Sequence, residues 1–506
     1  MQEQWRNRMI WLFIFLPIFS LVMNEISWLH FGMDLPLADD WRSYYQGKAG
    51  SFDLSYLFRS SNDTLYPVGM FLDSLAYRYL DGNTIAYQFI SMAGVLGLLL
   101  LLQWRLLLLA LKDRLLAASA FSLTLLMLQP DTYWGFVNLA YHQAIPLLCI
   151  LASLYVVLSG RWNNGWGIPT LLVLGLLSGF SYISGAFTML ALSVIFLISS
   201  KFLGPTERKP LLVGGLSLLA PAIVTTLAQT WVIAIVQKGT HRPDAPMAWP
   251  TGHDFWLYMF GKVARSLMLP IHHPIFSLLI TCLMVLVVLA LVFWSLRFLM
   301  KNKMQTLVDA RLAIIYISFV GVIFTYLLLI SAGRTNLHPP EIKTATEIFT
   351  YGFYRFHFFW VTLLWPWLAA LLFVLLKKSN TQRAERICLQ LPWVVLLVFI
   401  PLIIGAGALK HAKFYKPIME LRADGIKCLL SDLQKGKEIN CPQIAPVFTL
   451  KKGFFYGRDT GASFTRAIPF LPIPMGTMSP PPLFRLPMTN LENVKISNAQ
   501  IYPLKR

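Results

Sequence analysis

Ala93-Gly-Val-Leu-Gly-Leu-Leu-Leu-Leu-Leu-Gln-Trp-Arg-Leu-Leu-Leu-Leu-Ala-Leu111 decides the fold class, because its nineteen residues carry a single charge, Arg105. At a rise of about 1.5 Å per residue, such a run crosses a hydrocarbon core of about 30 Å. Lipid offers the backbone no hydrogen-bond partner, so the run must be a helix that satisfies its own N–H and C=O groups. Comparable apolar runs recur at Trp11–Met23, Leu171–Phe180, Ala186–Ser200, Leu278–Phe293 and Leu312–Ile330. They explain a composition that is 56% hydrophobic and only 13% charged. A soluble domain carries roughly twice that charged fraction. The expected fold class is an all-α polytopic membrane protein.

About eleven spans are expected, near 9–28, 84–111, 115–129, 141–159, 167–182, 185–200, 211–236, 270–296, 311–331, 357–376 and 391–409. The third, fifth and sixth are short, and the last two of these are equally readable as a re-entrant hairpin around Ser181–Gly185. Arg6 and Arg8 precede the first span, as in a signal peptide, but Val22-Met23-Asn24-Glu25 lacks a small-residue cleavage pattern. It is therefore expected to be a retained helix. With Arg6 and Arg8 on the cytoplasmic side, alternate loops carry Lys112 and Arg114, Arg161, Lys201 with Arg208 and Lys209, Arg297 to Arg311, and Lys377 to Arg386. That is the positive-inside pattern. It also accounts for the net charge of +19 without nucleic acid as a partner; basic flanks attract anionic lipid instead.

This topology places loops 28–83, 237–270 and 331–355 outside, together with a C-terminal domain over residues 410–506. Residues 1–409 form the transmembrane module. The inside loops are too short for a nucleotide-binding fold, and no G-x-x-x-x-G-K-[ST] sequence occurs. Chemistry is therefore expected outside. Cys149, Cys282 and Cys388 fall in or beside spans, whereas Cys428 and Cys441 both fall in the tail. An oxidising compartment there makes a Cys428–Cys441 disulfide the expectation, with two free thiols as the alternative. The tail shows a helix-like start at Ile418–Leu433, a Gly- and aromatic-containing segment at Phe454–Gly461, a Pro-rich stretch at Pro469–Pro487 and a strand-like end at Val494–Tyr502. A small mixed α/β domain is expected from that order, with a capping or acceptor-binding role.

Two constellations carry chemistry. Leu35-Pro-Leu-Ala-Asp-Asp-Trp-Arg-Ser-Tyr-Tyr45 starts within a few residues of the first span. Adjacent carboxylates at a membrane surface repel and desolvate one another, which raises the proton affinity of one of them. A carboxylate so tuned suits a general base acting on a hydroxyl. Arg42 shares a helical face with Asp39 and is placed to balance the pair or hold a phosphate. The bland alternative is an Asp N-cap on a surface helix. Beyond the pair, Leu54–Phe58 and Met70–Leu80 have the apolar spacing of interfacial helices. The second constellation is cationic: His241, Arg242, His272 and His273 in one outside loop, then Arg334, His338, Lys343 and Arg355. Guanidinium groups fork onto phosphate oxygens, so Arg334 and Arg355 lead as contacts to a lipid phosphate, against ordinary interfacial anchoring. No metal site is expected, since adjacent histidines point apart.

Asp39-Asp40-Trp41-Arg42 resembles the first outside loop of the GT-C superfamily, membrane glycosyltransferases that use polyprenyl-phosphate sugars. The run is similar to the Asp-Glu-x-Arg of the aminoarabinose transferases and, less closely, to the Asp-Glu pair of the protein O-mannosyltransferases. The second acid departs from that pattern, being Asp40 rather than Glu. In length, helix pattern, acid pair and tail the chain resembles the serotype-converting O-antigen glucosyltransferases of enteric bacteria and their temperate phages, with the type I group nearest. The resemblance implies undecaprenyl-phosphate glucose as donor, O-antigen polysaccharide as acceptor, periplasmic action in the bacterial inner membrane, and inversion without a metal or cofactor. A donor synthase and a flippase are the implied functional partners. By the same match Asp39 takes the base position, Asp40 is its acidic neighbour and Arg42 is a phosphate or orienting contact; Arg334, Arg355 and His338, read from the cationic loops, are the further candidates for the donor phosphate. A lipid-linked oligosaccharide transporter and an O-antigen polymerase or ligase are the rival expectations.

Overall fold

The computed structural model describes residues 2–60, 64–129, 144–205, 207–236, 245–301, 306–354, 357–378, 407–435, 439–445 and 450–466. The elements are helices, and no strand occurs among the described residues. In chain order the first are α1 (Gln2–Phe31), α2 (Trp41–Tyr45), α3 (Leu54–Leu57), α4 (Pro67–Leu80), α5 (Thr84–Ala110), α6 (Arg114–Leu128), α7 (Ala144–Leu158), α8 (Gly167–Ser181) and α9 (Ile183–Ser200). There follow α10 (Lys209–Val236), α11 (His253–Ser266), α12 (Pro274–Lys301), α13 (Leu307–Arg334), α14 (Ala345–Tyr351), α15 (Phe359–Leu376), α16 (Gly407–Gln434), α17 (Leu450–Asp459) and α18 (Ser463–Arg466).

Seven of the described helices are long and apolar enough to cross a membrane: α1, α5, α9, α10, α12, α13 and α15. The shorter apolar helices α6, α7 and α8 stand where the third, fourth and fifth spans are expected. The expected eleventh span, 391–409, lies outside the described residues except for the start of α16. Polar side chains set several helix starts: Asn83 accepts from Ala86 N, Asp113 from Leu115 N and Thr306 from Asp309 N. Between α8 and α9 only Tyr182 intervenes, in extended backbone. Small residues let these helices meet α10 closely. A Cβ on Gly179 would stand 2.1 Å from Thr225 Oγ1, and one on Gly175 2.5 Å from Pro221 Cγ. Close backbone approach of this kind is how helices associate where no hydrophobic force separates them from lipid.

Contacts sort the loops into two ends. At one end Arg6 pairs with Asp113 at 2.8 Å, Lys112 stands 3.9 Å from Asp309, and Leu307 N donates to Glu207 at 2.9 Å. These join three of the loops that the charge pattern assigns to one side. At the opposite end the loop after α1 meets the break between α8 and α9. Thr64 Oγ1 accepts from Ile183 N at 3.0 Å, and the Gln229 side chain accepts from Leu65 N and donates to Leu65 O and Gly179 O.

The described part of the tail gives no support to the expected mixed α/β domain. Between 407 and 466 the described tail is three helices and turns, and α16 already begins at Gly407, before the expected boundary. Phe454–Gly461 is mostly the helix α17, although glycine weakens helices. Here the glycines serve packing: a Cβ on Gly453 would lie 3.2 Å from Tyr45 N, and one on Gly457 2.7 Å from the Phe464 ring. The tail folds onto the first loop, so that Leu35, Leu37, Trp41 and Tyr44 share one buried cluster with Leu429, Ile444, Phe454 and Phe464. That shared apolar cluster, rather than strand pairing, supplies the tail with a core. Pro469–Pro487 and Val494–Tyr502 lie outside the described residues.

Candidate functional site

Where α1 ends, the chain is pinned at each step. Asp34 accepts from Thr84 N at 2.9 Å and Thr84 Oγ1 at 3.2 Å, tying the end of α1 to the start of α5. Leu35 O accepts from Arg422 Nε of α16 at 3.2 Å. Ala38 N donates to Ile444 O at 2.7 Å, and Ala38 takes a left-handed φ of 52°. That conformation is costly for a residue with a Cβ and persists where surrounding contacts impose it. A single turn, Ala38–Asp40, then leads into α2. Trp41 and Tyr44 point the same way, each with ring centroid 5.3 Å from Phe464.

The two acids differ. Asp39 sits beside Arg42 with 3.4 Å between Oδ1 and Nη2, as the three-residue spacing predicts, and Arg42 Nη1 donates to Tyr66 OH at 2.8 Å. Asp40 precedes α2 without capping it; its Oδ2 accepts from Leu37 N at 3.4 Å. Half-buried, it opens onto a cavity of about 50 Å³ shared with Ser43, Tyr44, Tyr56, Asp73 and Tyr87. Such a space admits a hydroxyl group or a water molecule or two, with the rest of a larger ligand at its mouth. Burial pushes the Asp40 carboxyl up to about 7; the Asp73 carboxylate adds to the rise, while Arg422 and the Leu37 N–H oppose it. Asp39 adds the smallest part. The repulsion expected between sequence neighbours thus comes mainly from Asp73, which accepts from Tyr87 OH at 2.7 Å.

Arg334 and His338 lie at the C-terminal end of α13, in a second cluster. His338 Nδ1 is 3.0 Å from Pro339 O, and its ring meets Tyr351 edge-on at 6.0 Å. Arg334 is electrostatically coupled to Tyr326, whose ring stacks on Trp360 at 4.3 Å. Two cations that sequence reasoning missed join them from α11. Lys262 is buried, donates to Tyr354 O and stands 4.8 Å from the Tyr258 ring centre. Arg265 lies 5.1 Å over Phe358, and burial lowers its pKa to about 10. Tyr326 also couples to Tyr258 and to Tyr182, the residue before Ile183. The two clusters are therefore at the same end of the bundle, connected through Thr64, Ile183 and Tyr182. Arg355, His241 and Arg242 lie outside the described residues, and His272 and His273 are exposed.

The structure joins Cys428 to Cys441, with Cα atoms 5.9 Å apart. These cysteines and Asp432 form the one described group of metal-ligand residue types, and its two thiols are spent on each other. Asp73 and Arg422 were also missed, though each left a trace. Asp73 is the single acid on the amphipathic α4, and Arg422 falls on the stripe Ile418, Gly425, Leu429 of α16, where an apolar residue is expected. No family model, no curated protein and no solved structure matches this chain.

Proposed function

We propose that this chain is an integral-membrane glycosyltransferase that moves glucose from undecaprenyl-phosphate glucose to O-antigen polysaccharide, on the periplasmic side of a bacterial inner membrane. The observation that carries the reading is Asp40: a carboxyl with a raised proton affinity, in a hydroxyl-lined cavity just beyond a membrane helix. We reassign the base from Asp39 to Asp40, because Asp39 is engaged by Arg42 and Asp40 faces the cavity. A general base works best with a pKa near the working pH. In the proposed step the Asp40 carboxylate takes the proton of an acceptor hydroxyl. The acceptor oxygen forms a bond to the anomeric carbon as the bond from that carbon to the phosphate oxygen breaks, and the polyprenyl phosphate leaves with the electron pair. Configuration inverts.

The second cluster supports the leaving-group side of this reading. Lys262, Arg265 and Arg334 at the same end of the bundle place positive charge where a phosphate regains negative charge, and low local polarity strengthens that attraction. The Cys428–Cys441 disulfide favours an oxidising location for the tail, and the joining of basic loops at the opposite end favours a cytoplasmic location there. The test is transfer of labelled glucose in membranes containing Asp40→Asn or Asp40→Glu. Loss with Asn and partial retention with Glu are expected; undiminished transfer with Asn overturns the assignment.

A lipid-linked oligosaccharide transporter is a second reading, favoured by Glu25. This acid is buried in α1, and neither carboxylate oxygen has a hydrogen-bond partner among the described residues. Ionisable residues inside membrane helices commonly mark transport paths. Donor-lipid movement across protein-containing vesicles, without sugar transfer and lost in Glu25→Gln, would favour it.

A further inference from the structure

Arg422 is a residue of the tail, 387 positions from the carbonyl it binds, and it is one of the largest fully buried side chains in the protein. Burying a guanidinium is costly unless charge or hydrogen bonding compensates it. The compensation lies in the loop that carries the acid pair. Nε donates to Leu35 O at 3.2 Å, the guanidinium lies 5.3 Å over the Trp28 ring, and Asp34 and Asp40 both attract it. Three residues beyond Leu35, the Ala38 N–H is bound by Ile444 O of the same tail, inside the turn that follows the disulfide. The tail thus grips the loop on both sides of the turn that aims Asp40.

We propose that Arg422 is a positioning residue for Asp40: from the tail it anchors the turn from which Asp40 projects and brings a buried positive charge to that turn. The inference deepens the glycosyltransferase reading and rests on it for the role of Asp40 as a base, but not for the coupling between the two side chains. The groups facing Asp40 come from four places: Asp73 on α4, Tyr44 on α2, Asp39 and the Leu37 N–H in its own segment, and Arg422 on α16. Asp73 and Asp39 favour the protonated form, and Arg422 and the Leu37 N–H favour the charged one. The cation that sets this balance is supplied by the tail, so the tail is part of the site rather than a cover over it.

The test reads Asp40 without requiring catalysis. Full-length protein in detergent is treated with dicyclohexylcarbodiimide, which modifies protonated carboxyls, across pH 5–9, and labelling at Asp40 is followed by peptide mass spectrometry. In wild type the label fades through about pH 7. In Arg422→Gln it persists to higher pH by about one unit, the low end for an opposite charge at short range, and in Arg422→Lys it stays near wild type. Should Arg422→Gln not accumulate, Asp34→Asn carries the test. It frees Arg422 from a competing acid and moves the midpoint downward, a direction that loosened packing would not give. Unmoved midpoints in Arg422→Gln, or in Asp34→Asn where that variant stands alone, overturn the proposal. Glucose transfer measured over the same pH range separates the two claims: shifted labelling without any transfer in wild type refutes the glycosyltransferase reading and leaves the coupling standing.

Discussion

Helices α8 to α10 of the membrane bundle and the unit formed by the first loop and the tail pack in different ways. In the bundle, α8, α9 and α10 approach through Gly175, Gly179 and Ser193, whose Oγ donates to Gly215 O at 2.8 Å. Large apolar side chains such as Leu227, Trp231, Leu279 and Phe293 face outward. In the loop–tail unit the aromatic residues turn inward: Trp41, Tyr44, Phe454 and Phe464 fill a core of the kind found in water-soluble proteins. Small residues close the contacts of α8, α9 and α10, whereas α13 and α15 bury large rings such as Tyr326, Trp360 and Trp367, much as the loop–tail unit does. The candidate base lies in the loop–tail unit, at its junction with the bundle.

This comparison can be broken by substitution, starting with the largest effect. Phe464→Ala empties the centre of the loop–tail cluster and should cost the unit about 3–5 kcal/mol. Proteolysis at the tail lysines and arginines should accelerate, while the helicity of the bundle in detergent stays intact; simultaneous collapse of both would show that they are one cooperative body. Replacing Cys428 and Cys441 with serine should cost about 3 kcal/mol, from the entropy of a closed loop of this length. The loss should again be confined to tail proteolysis and be reproduced in wild type by a membrane-permeant reductant. Gly179→Val tests the other region. Its side chain would overlap Thr225, so the detergent melting temperature should fall by an amount equivalent to about 1–3 kcal/mol, with tail proteolysis unchanged.

The most gradual effect concerns charge at the junction. Burial and Asp73 raise the Asp40 carboxyl from 3.8 to about 7, so the folded state binds a proton that the unfolded state releases between those values. The stabilisation is full below the unfolded value and is lost as pH rises through the folded one. Asp40→Asn removes this dependence. Its melting temperature relative to wild type should therefore climb between pH 4 and pH 7, by the equivalent of about 1 kcal/mol per pH unit. Parallel pH profiles for the two proteins would contradict the burial of the charge.

Legibility in the sequence divides along the same line. The bundle could be read from local information, since a run such as Ala93–Leu111 states its length and solvent by itself. Ten of the expected spans have helical counterparts among the described residues. The loop–tail unit could be read only in part. The Asp39–Asp40 pair and the Cys428–Cys441 disulfide were visible as short-range patterns. The partners that distinguish one acid from the other were not. Asp73 is 33 residues from Asp40 and Arg422 is 382 away, and nothing local records that α4 and α16 converge on one turn. The helix α17 was missed for a related reason. Glycines at 453 and 457 discourage a helix locally, but their need for close contact with Tyr45 and Phe464 is a tertiary fact. Sequence neighbours suggested mutual repulsion between Asp39 and Asp40, and the fold turned them apart, one onto Arg42 and one into the cavity.

Glucose transfer from undecaprenyl-phosphate glucose to O-antigen, measured for Asp39→Asn and Asp40→Asn at matched expression, tests the central claim most directly. The predicted result is a rate at least 100-fold lower for Asp40→Asn, the order expected for loss of a general base. Asp39→Asn should lose no more than about tenfold, since it removes a partly exposed ion pair beside the site rather than the group in the cavity. A full rate in Asp40→Asn, or the greater loss in Asp39→Asn, would contradict the assignment of Asp40 as the base.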